Sequence, residues 1–256
     1  MGYNLSDPKF KDKKVRQAIN YAVDKNEIAE TIFFGLARVT TGPFVLDSWA
    51  YNEDVRQAPH DPAKAKQLLK DAGWVDSDGD GWIEKDGVKL EFTVLVNQGN
   101  SERLRALEMI QGYLKDVGIR MKIRVLEWSA LINEFINKKH FEAVLMGWFL
   151  SRDPDCYDIW HSSKTREGEF NFIGYNNVEV DKLLEEARRT FDQAKRAKAY
   201  HQIHKLIYDD QPYLFLYSQE VLQIVHKRFR NVEVSKIGIG HNFIKWYVPR
   251  DEQRYR

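Results

Sequence analysis

The sequence predicts an α/β fold, and three observations carry that prediction. Between residues 90 and 148 the chain alternates strand, helix, strand, helix, strand, the order of successive crossover units. Within the same stretch its apolar residues switch between a period of two and a period near that of a helix. Its 256 residues are enough to bury a substantial core, as one large domain or two small ones.

Taken in order, Val15, Ala18, Ile19 and Ala22 recur at helical spacing, with Lys13, Lys14, Arg16 and Gln17 largely on the other side. Asp24 suits the cap of a second helix from Lys25, which Gly35 ends. Residues 37–60 are irregular, with an apolar turn from Thr40 to Phe44. Asp61 and Pro62 suit the N-cap and first position of a helix with Ala65, Leu68 and Leu69 inside, stopped by Gly73. Leu90 to Val96 reads as a strand, and Ser101 begins an amphipathic helix that ends at Gly118. Arg120 to Leu126 alternates strictly, with Met121, Ile123 and Val125 on one face, so it is a strand. Trp128 closes it, and Ser129 is placed to cap a helix carrying Leu131, Ile132, Phe135 and Ile136. Ala143 to Met146 is a buried strand ending in Gly147 and Trp148. Helices follow from Val178 and, capped by Asp192, from Gln193 to Pro212. Tyr213 to Tyr217 and Val221 to His226 are β-type runs joined by a Ser218-Gln219 turn, and Phe243 to Val248 is a further strand. Turn signals between Ile237 and His241 have no assigned place.

Composition narrows the function. Lys and Arg number 39 against 38 acidic residues, for a net charge of +1, which argues against a generic nucleic-acid binder. Aromatic residues make up 13%, including 7 Trp and 12 Tyr, a surplus that suits ligand clefts and interfaces as well as cores. The single cysteine, Cys156, excludes an internal disulfide. No segment approaches the roughly 18 apolar residues of a membrane-spanning helix. The N-terminal stretch has no apolar signal core, so the chain is either cytosolic or a piece of a longer precursor.

The stretch from Phe141 to His161 is the leading site candidate. Ligands of open α/β sheets collect where strands end, and there Trp148 stands beside Ser151, Arg152, Asp153 and Asp155, with Tyr157 and Trp160 following. Asp-Pro-Asp is also ordinary turn chemistry. In the loop DSDGDGWIEKDG, Asp76, Asp78 and Asp80 occupy positions 1, 3 and 5 of a calcium loop, with Gly81 at position 6. The bidentate Glu expected at position 12 is replaced by Gly87, and a strand follows in place of a helix. The loop is therefore either a structural calcium site or an Asx-rich turn. His201 and His204 lie one helical turn apart without a carboxylate or cysteine at ligand spacing, which favours a solvated helix face over a metal site. The acidic surroundings of Cys156 raise its pKa, so a Cys/His pair is not expected. No nucleophile, base and orienter assemble in sequence, and the chain is not expected to be an enzyme.

Six collinear segments bear a resemblance to a known family. They are VRQAINYAVDKNEI, TTGPF, HDPAKAKQLLKDAGWVDSDGDGWIEKDG, FEAVLMGW with its following DPD, NFIGYNNVEVDKLLEEAR and KRAKAYHQIHKLIYDDQPYLFLY. Together they resemble the C-terminal half of family 5 extracellular solute-binding proteins of ABC importers, the group that includes dipeptide- and oligopeptide-binding proteins. The resemblance implies a lobe of the type II periplasmic-binding-protein kind, with a mixed sheet and flanking helices. Residues 1–211 would form the ligand-binding lobe and 212–256 a β-rich return segment toward an N-terminal lobe that this chain does not include. It also implies a fragment of a longer, monomeric protein, periplasmic or extracellular and membrane-associated. Its partners would be a peptide or similar solute, the importer's membrane permease and the other lobe, with no cofactor beyond the calcium in question. Hinge closure encloses the ligand in this family, so one lobe carries half a site and binds weakly or undetectably alone.

The resemblance transfers to a few residues. Trp128 and Trp148 match cleft tryptophans, and the loop from Asn97 to Arg103 lies where the family approaches its ligand. Ser151 stands where peptide binders place the Asp that pairs with the peptide amino terminus, with Asp153 and Asp155 shortly after. The arginines that meet a peptide carboxylate have no counterpart, Leu145 occupying the nearest strand position. Either Asp153 or Asp155 substitutes, or the ligand is a sugar, opine, nickel complex or other solute of the kind this group also carries. Peptide is the first expectation and oligosaccharide the alternative. A stand-alone calcium-binding interaction module is the rival class, and such a module should not expose a large apolar face near Trp128 and Trp148.

Overall fold

The computed structural model describes residues 1–235 and 238–254. The strands and helices run β1 (Gly2–Tyr3), α1 (Pro8–Lys11), α2 (Lys13–Ala22), α3 (Lys25–Phe33), β2 (Ala37–Val39), α4 (Pro62–Asp71), β3 (Glu84–Lys85), β4 (Val88–Lys89), β5 (Glu91–Asn97), α5 (Ser101–Asp116), β6 (Arg120–Leu126) and α6 (Trp128–Ala130). After a π-helical turn, Leu131–Ile136, come β7 (Ala143–Leu145), α7 (Tyr157–Trp160), α8 (Val178–Arg188), α9 (Gln193–Asp210) and β8 (Tyr217–Gln219). Contacts divide the chain into Met1–Gln219 and Glu220–Arg256.

In the first unit the sheet order is β1-β7-β5-β6. Strand β5 is parallel to both neighbours, with Val96 opposite Leu145 and Asn97 opposite Leu126, while β1 runs antiparallel beside β7. The sheet is therefore mixed, as expected. Alternation along β5 serves two helical layers. Phe92, Val94 and Val96 pack with Ile19 of α2, Ile28 of α3, Leu69 of α4 and Leu107, Ile110 and Leu114 of α5. Leu95 and Val144 belong to a second buried cluster with Trp160, Leu184 of α8, and Tyr200, Ile203 and Ile207 of α9. Each fully buried aliphatic of this kind contributes about 1.5–3 kcal/mol relative to exposure. Arg16 joins distant ends of the unit: its buried guanidinium donates to the carbonyls of Phe10 at 2.5 Å and Asp210 at 2.6 Å.

Most helix starts follow the sequence. Asp24 accepts from the amides of Asn26 and Glu27, Asp61 from Lys64 with Pro62 behind it, and Asp192 from Ala194 and Lys195. One differs. Helix α5 begins at Ser101 as expected, capped by Asn100, but Glu127, not Ser129, caps the helix after β6 by accepting from the Ala130 amide at 2.9 Å. A longer carboxylate one residue before Trp128 reaches the free amides that Ser129, already inside the helix, cannot.

Residues 212–219 pack within the first unit: Leu214 pairs with Met1 in both directions, and Leu214 and Leu216 enter the core. Strand β8 pairs antiparallel with β2. The strand therefore covers Tyr217, the end of the expected run, together with Ser218 and Gln219, which the sequence reads as a turn, and Tyr213 makes an isolated bridge to Gly2. In the second unit Val221 to His226 has no assigned strand, and Phe243 to Val248 is not a strand either. Ile239–Lys245 is 3-10 helical, and Tyr247 makes a lone bridge to Arg230. β-prone residues need a partner strand for their backbone groups, and the described residues of this unit supply that one bridge. Ile237, where the unassigned turn signals begin, lies outside the described residues.

Candidate functional site

Three adjacent parallel strands, β6, β5 and β7, end on one edge of the sheet. Their last residues lead into Trp128, Asn97 and the Gly147-Trp148 pair, so the fold gathers the candidates that the sequence spreads over fifty residues. After Asn97 the chain turns through Gly99, whose φ of 84° is the left-handed conformation glycine tolerates, into the Asn100 cap of α5. The first turn of α5 then sends Arg103 back to the strand end, where its Nη1 donates to Asn97 Oδ1 at 2.7 Å. Gly147 lies under the same guanidinium: a Cβ there would stand 3.2 Å from Arg103 Nη2.

Both tryptophans are partly open to solvent, Trp128 at 52% and Trp148 at 37% exposure. Trp148 is braced from one side, edge-on to Phe170 at 5.6 Å and stacked with Phe172 at 6.0 Å. Phe149 beside it is fully exposed. The face near Trp128 and Trp148 is thus apolar and uncovered.

The three polar candidates beyond Trp148 turn away from such a role. Ser151 Oγ donates to the Asp153 carbonyl at 2.6 Å, closing its own loop. Asp153 receives a two-pronged contact from Arg196 of α9, at 2.6 and 2.9 Å, and this arginine holds its carboxyl below the usual carboxylate range. Asp155 accepts from Arg188 of α8, Nε at 2.8 Å and Nη2 at 2.7 Å. Each arginine also lies over rings, Arg188 over Tyr157 at 3.9 Å and Arg196 over Trp49 and Tyr200 at 5.4 and 5.5 Å. Arg188 and Arg196 escaped the sequence reading because they sit 33 and 43 residues from their partners, on helices whose charges look solvated.

The acidic loop contains a cation of the chain's own. Oxygens of Asp76, Asp78 and Glu84 converge within 4.8 Å of one another. The ammonium of Lys89 from β4 lies 2.8 Å from Asp78, 2.9 Å from Asp80, 3.0 Å from Glu84 and 3.3 Å from the Trp82 carbonyl. These contacts, Asp78 foremost, raise the lysine's pKa. The remaining oxygens are engaged as well: Asp76 accepts from the amides of Gly79 and Gly81, and Glu84 from the amide and hydroxyl of Ser77. The donor set fits a cation by charge, and Lys89 bonds two of its three converging carboxylates, Asp78 and Glu84.

His204 corrects an expectation. It is fully buried, not on a solvated face, and both ring nitrogens are used. Nδ1 accepts from the Asn52 amide at 3.0 Å, which makes Nε2 the protonated nitrogen facing Thr41 Oγ1 at 3.0 Å. Burial depresses its pKa to about 4. Gly42 is required beneath it, since a Cβ there would collide with the ring. Cys156 is buried and its thiol pKa is pushed up, chiefly by desolvation. Ser163 Oγ stands 2.8 Å from His161 Nδ1, with Glu185 3.5 Å from Nε2, a serine–histidine–glutamate chain that the sequence reading did not anticipate. The Ser163 amide donates to that same Nδ1 at 3.1 Å, so the lone pair a general base would use is already engaged. The arrangement is a turn staple.

A mixed sheet with helices on both faces, ending in aromatic-rimmed strand termini, is a lobe of the type II periplasmic-binding-protein kind. Residues 1–170 match the family described as bacterial extracellular solute-binding proteins, family 5 middle, and the chain belongs to that family. It is 42% identical over 254 residues to the oligopeptide-binding protein AppA of Bacillus subtilis, covering 98% of this chain and 46% of that protein. The structure of AppA in complex with a nonapeptide superposes with a TM-score of 0.85 at 38% identity, over 97% of this chain and 50% of that one. The Escherichia coli dipeptide-binding protein is 30% identical over 94% of this chain and 44% of its own length. NikZ from Campylobacter jejuni, solved in complex with Ni(L-His), gives a TM-score of 0.81 at 27% identity over 96% of this chain and 50% of that one. The chain thus spans about half the length of the relatives it matches.

Proposed function

We propose that this chain supplies one wall of the ligand cleft of a two-lobed solute receptor serving an ABC importer, and that the ligand is a peptide. The observation that carries the reading is the uncovered aromatic edge at the ends of β6, β5 and β7, in a lobe whose curated relatives include oligopeptide- and dipeptide-binding proteins. Indole faces hold planar peptide groups and apolar side chains without demanding one sequence. Trp128 and Trp148 form that surface, Asn97 and Arg103 border it, and Ser151, Asp153 and Asp155 shape the loop beside it. The receptor works outside the cytoplasmic membrane, hands its ligand to a permease and carries out no covalent chemistry.

Calorimetric titration with short peptides of the two-lobed receptor that contains this lobe tests the reading. Micromolar binding that falls at least tenfold in Trp148→Ala supports it. Binding of oligosaccharides with no response to peptides replaces it with the second reading, which the serine at position 151 favours.

A further inference from the structure

Strand β6 is the outer strand of the four-stranded sheet, on the side away from β1. Its register with β5 sends the Arg120 amide to the Leu90 carbonyl and the Gln98 amide to the Leu126 carbonyl, so its even-numbered residues turn their backbone groups inward. The amides and carbonyls of Met121, Ile123 and Val125 therefore point out from the sheet. Among the described residues one side chain meets them: Gln111 Nε2 of α5 donates to the Met121 carbonyl at 2.8 Å. Beside that end of the edge lies a groove of about 550 Å3 between α5 and Trp82, with Glu108, Gln111 and Met121 in its lining. Gly112 leaves the helical wall of the groove bare, since a Cβ there would meet nothing within 4 Å.

An open edge is a template for a further strand unless charge keeps it unpaired, and the side chains of β6 decide which strand it could accept. One face of β6 carries Arg120, Lys122 and Arg124 in a row. Glu91 of β5 pairs with the first two. Arg124 lies over the Phe135 ring at 4.8 Å, and no carboxylate of the described residues is within ion-pair distance of it. The other face carries Met121, Ile123 and Val125, the last of them 46% exposed. A second copy of β6 would set cations against cations across the pair, which is unfavourable. The complementary strand alternates acidic and apolar residues.

We propose that the β6 edge is a docking site for an extended acidic segment of another protein, paired as an added strand. Its carboxylates meet Lys122 and Arg124, and its apolar residues pack against Ile123, Val125 and the groove at Gly112. Main-chain bonds to Ile123 and Val125 supply affinity, and the alternation of charge sets the register. Such docking does not depend on what the tryptophan edge receives.

The probe is a seven-residue segment alternating Glu and Val, the length of β6, carried at the end of a small folded domain too bulky for an interlobe cleft. A block-ordered segment of the same composition is its control. Titrated into the two-lobed receptor that contains this lobe, the alternating segment is expected to bind at least about tenfold more tightly than the control. Val125→Pro removes one outward amide, leaves the bonds to β5 in place, and should weaken binding about fivefold. Arg124→Glu should also weaken it, and a segment alternating Lys and Val should bind that variant better than the wild type. Hydrogen exchange over residues 121–125 should slow when the acidic segment is bound. Equal binding of the alternating and block-ordered segments, an affinity that survives both substitutions in variants of unchanged melting temperature, or no binding at all overturns the docking site. The cations of β6 would then serve to keep the edge unpaired, or the other lobe would cover it.

Discussion

The loop at 76–86 and the loop at 151–155 begin from similar sequence chemistry, closely spaced aspartates with turn formers between them, and both look like places where a cation or an ammonium would be received. In the folded chain both are already supplied. The first is bridged by Lys89, whose partners lie only 5 to 11 residues away across a two-stranded hairpin. The second draws on Arg188 and Arg196, 33 and 43 residues away, from two helices packed on the opposite face of the sheet from α2–α5. The local cation closes a surface turn. The distant ones tie the loop beside Trp148 to the second helical layer, so the same chemistry fixes a turn in one place and the geometry of a ligand edge in the other.

Acid separates these carboxylates from the rest of the fold, and its largest effect comes from a different group. His204 has a folded pKa of about 4 against an unfolded value near 6.5, so its stabilising contribution is complete above about pH 6.5 and is lost as pH falls toward 4. The loss is on the order of 3 kcal/mol. Urea denaturation at pH 7.5 and pH 4.5 should show most of that difference, and a His204→Phe variant should lose the pH dependence whatever its own stability. Asp153 and Asp78, both held below the ordinary carboxylate range, contribute above their unfolded pKa and lose that contribution only as pH falls through their lower folded values. A stability profile still flat at pH 4.5 would break this ordering.

Next in size is the clamp on the rim. Arg196 is mostly buried while Asp153 is more than half exposed, so solvent screening keeps Arg196→Met to about 1 kcal/mol. Its larger consequence should be local. The indole resonance of Trp148 should shift in heteronuclear spectra of Arg196→Met and hold still in Lys89→Met. Arg188→Met should behave in the same way at about half the cost, because both members of its pair are about a third exposed or more.

How much of this was legible in the sequence follows the same division between local and distant partners. The cap at Asp61 with Pro62, the alternation of Arg120 to Leu126 and the crossover order from 90 to 148 are local patterns, and the fold respects them. Trp128, Asn97 and Trp148 could be placed at strand ends because periodicity says where strands stop. The strands expected between Val221 and Val248 did not form, since β propensity cannot say whether a partner is present. Arg196 and Arg188 carry no sequence signal that ties them to a distant loop, and His204 reads as a surface residue, because a helical repeat alone does not reveal which turn of a long amphipathic helix meets a loop from residues 41–52.

The smallest effect is the one expected of calcium. If Lys89 is the cation of the acidic loop, millimolar calcium must either displace an ammonium held by three carboxylates and a carbonyl, or bind outside them where water competes well. Neither route favours the folded state appreciably, so the melting temperature of the wild-type chain should not move between chelator and millimolar calcium. Lys89→Met removes the ammonium and leaves Asp76, Asp78, Asp80 and Glu84 facing one another. That variant should melt lower in chelator, through repulsion among the carboxylates, and recover in calcium, because a ligand that binds only the folded state stabilises it. A wild-type melting temperature that rises with calcium would mean that the lysine yields to the metal. The loop would then be a cation site in its own right, and the parallel with the permanently paired aspartates at 153 and 155 would end there.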